Sequence, residues 1–329
     1  MNHRKTITVG GQAVIEGVMM RAPYAIATAV RRANGEIVVK TEPFQSKLEK
    51  YKFLNIPIVR GAVALIEMLI IGTQSLQYSA DVMMEDTEGQ AAKKKSKISL
   101  ILTTVVALGI GIGIFFVGPL FISTKVLPLD ANAWQFNLIS GLFRTVMFLA
   151  YLIAISFMSD IKRLFQYHGA EHQSIYAFED RKELLPANAI TYTTLHPRCG
   201  TSFLMFVMIT SVLCFAVIDS FYMMANGPIT LGMRLALHLP FIPVIAGVSY
   251  ELIKLSGKYY QFPLARIFMY PGLWLQKITT KKPDEKQLEV AIAALKAALG
   301  EDLVREYNEG RISGSMSVHE CRVETSSAE

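Results

Sequence analysis

The chain has 329 residues, 52% hydrophobic and only 18% charged, with a mean hydropathy of +0.34; this is too little charge for an ordinary water-soluble domain and points to a membrane protein. Its formal charge of +6 falls mostly at the edges of apolar runs, which suits anionic lipid headgroups and argues against nucleic acid as a partner. The three cysteines form no disulfide framework: Cys199 is expected in the reducing cytoplasm, Cys214 inside an apolar run and Cys321 in the tail.

Residues 1–55 read as a cytoplasmic region containing β structure. "MNHRKTITV" leads into polar, Gly-rich sequence with no short apolar core and small-residue cleavage site, so no cleavable leader is expected. "VGGQAVIEGVMMRAP" (residues 9–23) has Gly10, Gly11 and Gly17 around a strand-like run, and those glycines suit either turns or a loop that contacts a ligand. "AIATAVRRANGEIVVKTEPF" (residues 25–44) carries two β-prone runs around Asn34-Gly35, a hairpin signal.

Residues 56–97 hold an apolar segment, "IPIVRGAVALIEMLIIGTQSLQ", followed by a basic linker ending in "KKKSK". A crossing here would leave basic sequence outside, so this segment is expected at the interface or packed on the bundle. About four transmembrane helices follow, two in residues 98–158 and two in residues 202–255, each containing the roughly 20 apolar residues a span requires. The last holds Arg234, His238, Pro240 and Pro243, and is expected to kink and to pack against protein. Lys and Arg cluster in the N-terminal region, in residues 159–201 and in the tail, which places both termini on the cytoplasmic face of the plasma membrane. Arg144, Arg234 and His238 within spans read as an interhelical lock rather than a transport path. Residues 256–329 form a cytoplasmic C-terminal region, with an amphipathic helix in "PDEKQLEVAIAALKAAL" and a polar, disordered tail from Gly310.

Two stretches carry chemistry. In "YHGAEHQSIYAFE" (residues 167–179), His168 and His172 are four apart and share one face of a helix, with Glu171 placed to act as a base toward water. The order matches the H-x-x-E-H metalloprotease pattern, and the bland alternative is a polar surface near headgroups. His196 and Glu251 are the candidate third metal ligands; an Arg partner would equally explain Glu251. In "LHPRCGTSF" (residues 195–203), Thr201 or Ser202 can cap the third span and Arg198 adds positive charge at a helix N-terminus, a setting for an anionic substrate. The same field favours the Cys199 thiolate, which leaves a nucleophile, a metal ligand or a simple cap as its readings.

Together "GGQAVIEGVMMR", "YHGAEHQSIYAFE", "HPRCGTSF", "SYELIK" and "PGLWLQKITTKKP" resemble the bacterial multi-pass membrane family named after YqhQ, domain of unknown function 1385, over about Gly10 to Ala298. The resemblance implies a family described as predicted metal-dependent enzymes with no assigned reaction. The expectation is therefore a mainly α membrane protein with a metal-dependent hydrolytic site at the cytoplasmic membrane face. In it His168, His172 and either His196 or Glu251 hold zinc or a similar divalent ion, Glu171 and Cys199 are the catalytic candidates, and Arg198, Thr201 and Ser202 meet a lipid phosphate or membrane peptide. The rival expectation is a non-enzymatic scaffold whose cytoplasmic face docks a protein partner such as the protein-insertion machinery.

Overall fold

The computed structural model describes residues 5–88, 97–128, 132–258 and 262–314. Cys321, most of "KKKSK" and the polar tail beyond residue 314 lie outside them. In chain order the elements are β1 (Lys5–Ile7), β2 (Gly10–Val14), β3 (Gly17–Arg21), β4 (Ala25–Arg31), β5 (Ile37–Pro43), α1 (Lys47–Lys50), α2 (Val59–Glu88), α3 (Lys97–Ile112), α4 (Gly118–Val126), α5 (Ala133–Ser156), α6 (Ser159–Glu179), α7 (Pro186–Ala189), α8 (Gly200–Asn226), α9 (Leu231–Lys258), α10 (Pro263–Thr279), α11 (Glu285–Asn308) and β6 (Ile312–Gly314). A π-helical turn, Gly113–Val117, joins α3 to α4.

Among the described residues five helical stretches are long and apolar enough to cross a bilayer, Val59–Asp86, Ile101–Val126, Ala133–Ser156, Gly200–Asn226 and Leu231–Ser256; the chain is a multi-pass membrane protein. Four of them are the expected spans, and the fifth, α2, is the apolar segment expected at the interface or packed on the bundle, which meets the same test of length and hydropathy. The bundle core joins Phe116, Leu120, Phe136, Phe215 and Ile245 from α4, α5, α8, α9 and the π turn. α9 runs as one helix through Pro240 and Pro243, which a membrane helix tolerates when neighbours re-satisfy the freed carbonyls.

β2 to β5 form an antiparallel meander in the order β2-β3-β4-β5. The Asn34-Gly35 turn sits between β4 and β5 as expected, with Gly35 at φ 91°. Alternation along β3 divides its side chains between two faces. Met19, with Val14 and Val30, packs on Ile71 and Val82 of α2; Val18 and Met20 face α6 and α11. The sheet is thus covered on both sides, and α2 spends the face containing Ile71, Tyr78 and Val82 on it.

The C-terminal helix follows the amphipathic pattern to Leu299, where Gly300 at φ 74° breaks it, and a second helical stretch continues to Asn308. α11 begins at a capping box in which the Asp284 side chain accepts from Gln287 N–H and the Gln287 side chain returns the contact. The segment after it, read from sequence as disordered, starts with a strand: β6 pairs in parallel with β1.

Met19 is fully buried between sheet and helix, whereas Val39 of β5 is exposed. Met19→Ala is expected to lower stability by about 2–5 kcal/mol, with Val39→Ala within about 0.5 kcal/mol, measured by thermal melting of the detergent-purified protein.

Candidate metal centre

α6 follows α5 after a two-residue break and is buried from Gly169 to Glu179, held by the sheet, α11 and the residues after α10. A Cβ on Gly169 would run into the backbone oxygen of Lys281. Glycine there lets the chain after α10 lie against α6, where Lys281 N–H donates to Phe165 O at 2.9 Å. The glycine that weakens the helix in isolation is the one that builds the site.

That approach delivers a carbonyl. His168 Nδ1 lies 2.9 Å from Thr279 O at the end of α10, and His172 Nδ1 lies 2.5 Å from Thr194 O. A carbonyl only accepts, so both Nδ1 atoms carry protons and both Nε2 atoms are left with lone pairs. His168 Nε2 faces Cys199 Sγ at 3.2 Å, and His172 Nε2 is buried with no hydrogen-bond partner. Among the described residues, one ligand atom from each of His168, His172 and Cys199 lies within 4.8 Å of the others.

The donor set fits a divalent ion. Two imidazoles with their second nitrogens fixed by carbonyls, and a thiol, are a common zinc-type set with its outer shell in place. Ligand atoms at about 2.0–2.3 Å from one ion are up to roughly 4 Å apart, so a contraction of under about 1 Å would close the group. Burial holds the His172 ring below its ordinary value, with Cys199 opposing, which keeps it neutral and able to ligate.

The other expected ligands are placed elsewhere. His196 Nδ1 accepts from Arg198 N–H at 3.2 Å, so its proton is on Nε2, which lies 3.6 Å from Glu179 Oε2. This is the opposite tautomer to His168 and His172, and it turns His196 toward a carboxylate rather than an ion. Glu251 is gripped by Arg60 of α2 through both carboxylate oxygens, which realises the Arg-partner reading and takes Glu251 out of the converging group. Arg198 pairs with Glu179. The cap of α8 is Cys199, whose Sγ accepts from Thr201 N–H at 3.4 Å, in place of Thr201 or Ser202. Thr201 Oγ1 stands 3.1 Å from the same sulfur; Ser202 is buried and accepts from Gln276 Nε2 at 3.1 Å.

Glu171 is 5% exposed, with Oε2 3.4 Å from His172 Nε2. Burial raises its pKa, while His168, His196 and a hydrogen bond from Gly11 N–H pull it back. Of the glycines near the N-terminus, Gly11 is the one that borders this site. It lies in strand β2, and a Cβ there would stand 2.8 Å from Glu171 Cγ, so only glycine lets the strand close over the carboxylate. Sequence reasoning missed four groups: Thr194 and Thr279, which act through backbone carbonyls; Glu179; and Gln276. Gln276 accepts from His196 N–H at 2.7 Å and donates to His196 O at 2.8 Å. Glu179 and Gln276 both stand in the motifs "YHGAEHQSIYAFE" and "PGLWLQKITTKKP", where a buried carboxylate and amide among apolar residues were the available signal.

A family model for proteins of unknown function, DUF1385, matches residues 56–301, a stretch containing every one of these residues except Gly11. The chain belongs to that family. It is also 32% identical over 319 residues to the uncharacterized protein YqhQ of Bacillus subtilis (strain 168), covering 93% of this chain and 97% of that relative. No solved structure matches.

Gly169→Ala is expected to cost about 1–3 kcal/mol by forcing Lys281 away, read as a lower melting temperature. A second expectation concerns pH. Burial holds His196 down to about 4 from 6.5. The unfolded state therefore binds the extra proton in that window, and His196 costs stability as pH falls through it, at about 1.4 kcal/mol per pH unit. Glu171, raised by burial, acts in the opposite sense, so the contribution is isolated by difference. His196→Gln should melt with a shallower decline than wild type between pH 6.5 and 5, and equal slopes would count against it.

Proposed function

We propose that this protein is a metal-dependent hydrolase working at the cytoplasmic face of a bacterial plasma membrane, with His168, His172 and Cys199 holding a divalent ion such as zinc. The observation that carries this reading is the convergence of ligand atoms from His168, His172 and Cys199 within 4.8 Å, with the buried Nε2 of His172 aimed there by a carbonyl on its other nitrogen. A buried lone pair without a donor costs free energy that an ion would offset.

When bound, such an ion polarises a carbonyl or phosphoryl oxygen and makes water acidic near neutral pH. The protein's own groups then supply proton handling and placement. Glu171, with a raised pKa beside His172, takes a proton from the attacking water and returns it to the leaving group. Arg198, part exposed and backed by the fully buried Glu179, steers an anionic group, a lipid phosphate or a peptide carboxylate, towards the N-terminus of α8. The sulfur of Cys199 facing His168 Nε2 suits ligation of the ion, and a thiol beside an imidazole lone pair is also the arrangement of an activated nucleophile, which stays its alternative role.

A second reading has its own support. His172, Glu171 and His196 are 1%, 5% and 3% exposed, so the same ion could pin α6, α8 and the end of α10 together in a scaffold that docks a partner such as the protein-insertion machinery. Elemental analysis of detergent-purified protein separates these. About one equivalent of a transition metal, lost in His168→Ala/His172→Ala and in Cys199→Ala, is expected in both. Glu171→Gln should retain the metal and, for the hydrolase alone, abolish release of phosphate or peptide from membrane extracts. No metal in wild type overturns both.

The same proposal includes topology: four crossings with both termini in the cytoplasm, α2 lying on the sheet and the membrane surface. It is supported by the Lys and Arg distribution and by the α2 face committed to the sheet. Phe53→Cys and Lys162→Cys, flanking α2 and the next two spans, are then labelled by an impermeant thiol reagent from the same side. Labelling from opposite sides would show that α2 crosses.

A further inference from the structure

A second polar group lies inside the bundle, away from the His and Cys cluster. Asp219 of α8 is fully buried and takes three donors: Asn137 Nδ2 of α5 at 2.7 Å, His238 Nε2 of α9 at 2.8 Å, and Arg234 of α9. This is the interhelical lock expected from sequence, and its carboxylate balances one guanidinium. Arg144, midway along α5, is a second guanidinium. Its Nη1 donates to Ser211 Oγ at 2.8 Å, and it lies 5.0 Å and 5.8 Å from the ring centres of Phe116 and Phe215. Among the described residues no carboxylate oxygen comes within 4.0 Å of it, and its Nε has no partner.

Two more buried polar atoms share that situation. Ser140 Oγ, one turn before Arg144 on the same face of α5, and His238 Nδ1 are both without partners. The His238 ring stacks on Phe215 at 3.9 Å and stands 6.4 Å from Phe116, so it borders the same two rings as the guanidinium. Arg144, Ser140 and His238 are 8%, 1% and 0% exposed. With Arg144 and Arg234 set against Asp219, the group is one negative charge short, in a setting where an uncompensated cation is expensive.

We propose that Arg144 and Ser140, beside the rings of Phe116 and Phe215, form a binding site for one small inorganic anion inside the bundle. The anion accepts from Arg144 Nε and Ser140 O–H and supplies the missing charge. Chloride serves as the probe for such an anion. The site is independent of the metal reading, since none of its residues touches the His and Cys cluster.

The test uses the full chain in detergent, with chloride exchanged for gluconate at constant ionic strength. Wild type should show a saturable rise in melting temperature with chloride and broadening of the chloride NMR line. Arg144→Gln should melt cooperatively with neither response. Ser140→Ala, which leaves the cation in place, should weaken chloride about tenfold, the worth of one hydrogen bond to a charged group, and it carries the test if the Arg144 variant does not fold. Absence of a chloride response in wild type, or an unchanged response in either folded variant, would overturn the proposal.

Discussion

The close approach of the chain after α10 to α6 is the constraint on which the site depends. Gly169 leaves room for the Lys281 backbone, the Lys281 N–H ties down on Phe165 O, and Thr279 O is thereby carried to His168 Nδ1. The second imidazole is set in the same way from the other side, by Thr194 O. Two carbonyls on two separate segments choose one tautomer for both rings and point their lone pairs towards Cys199. A side chain of any size at position 169 would loosen the first of those carbonyls, and with it the direction of the ring.

The polar groups around that centre divide by which proton they hold. His168 and His172 are protonated on Nδ1, while His196 is protonated on Nε2 and turned to Glu179. Three histidines, with His172 in ring contact with both His168 and His196, therefore play two parts, set by backbone groups. Glu171 sits between them under strand β2, its pKa raised by burial. The two responses to burial, a carboxyl raised and imidazoles lowered, both favour neutral groups, as expected of a polar cluster withdrawn from water.

One face of the N-terminal sheet is covered by a helix that is itself apolar enough to cross a bilayer. α2 is apolar enough to span, yet its Ile71 and Val82 complete the core with Val14, Met19 and Val30 of the sheet, and Arg32 of the sheet side pairs with Glu85 and Asp86 near its end. Hydropathy measures how much apolar surface a segment has; only packing says whether lipid or protein covers it. The bundle shows the converse. Asp219, Arg234 and His238 look out of place in apolar runs, and become intelligible once three helices bring them together.

The sequence by itself determined the membrane character, the Asn34-Gly35 hairpin, the five apolar helices and the pairing of His168 with His172 on one helical face. Each of these follows from a local signal: run length, turn chemistry or a four-residue period. What only the tertiary structure decided was the third member of the cluster, Cys199 in place of His196 or Glu251, and the reason for Gly11 and Gly169. Those depend on which backbone atoms, distant in the chain, arrive beside a side chain: Arg60 beside Glu251, Arg198 N–H beside His196, Lys281 beside Gly169. A residue's type shows what it can bind, while its free lone pairs and protons are fixed by neighbours that no local pattern encodes.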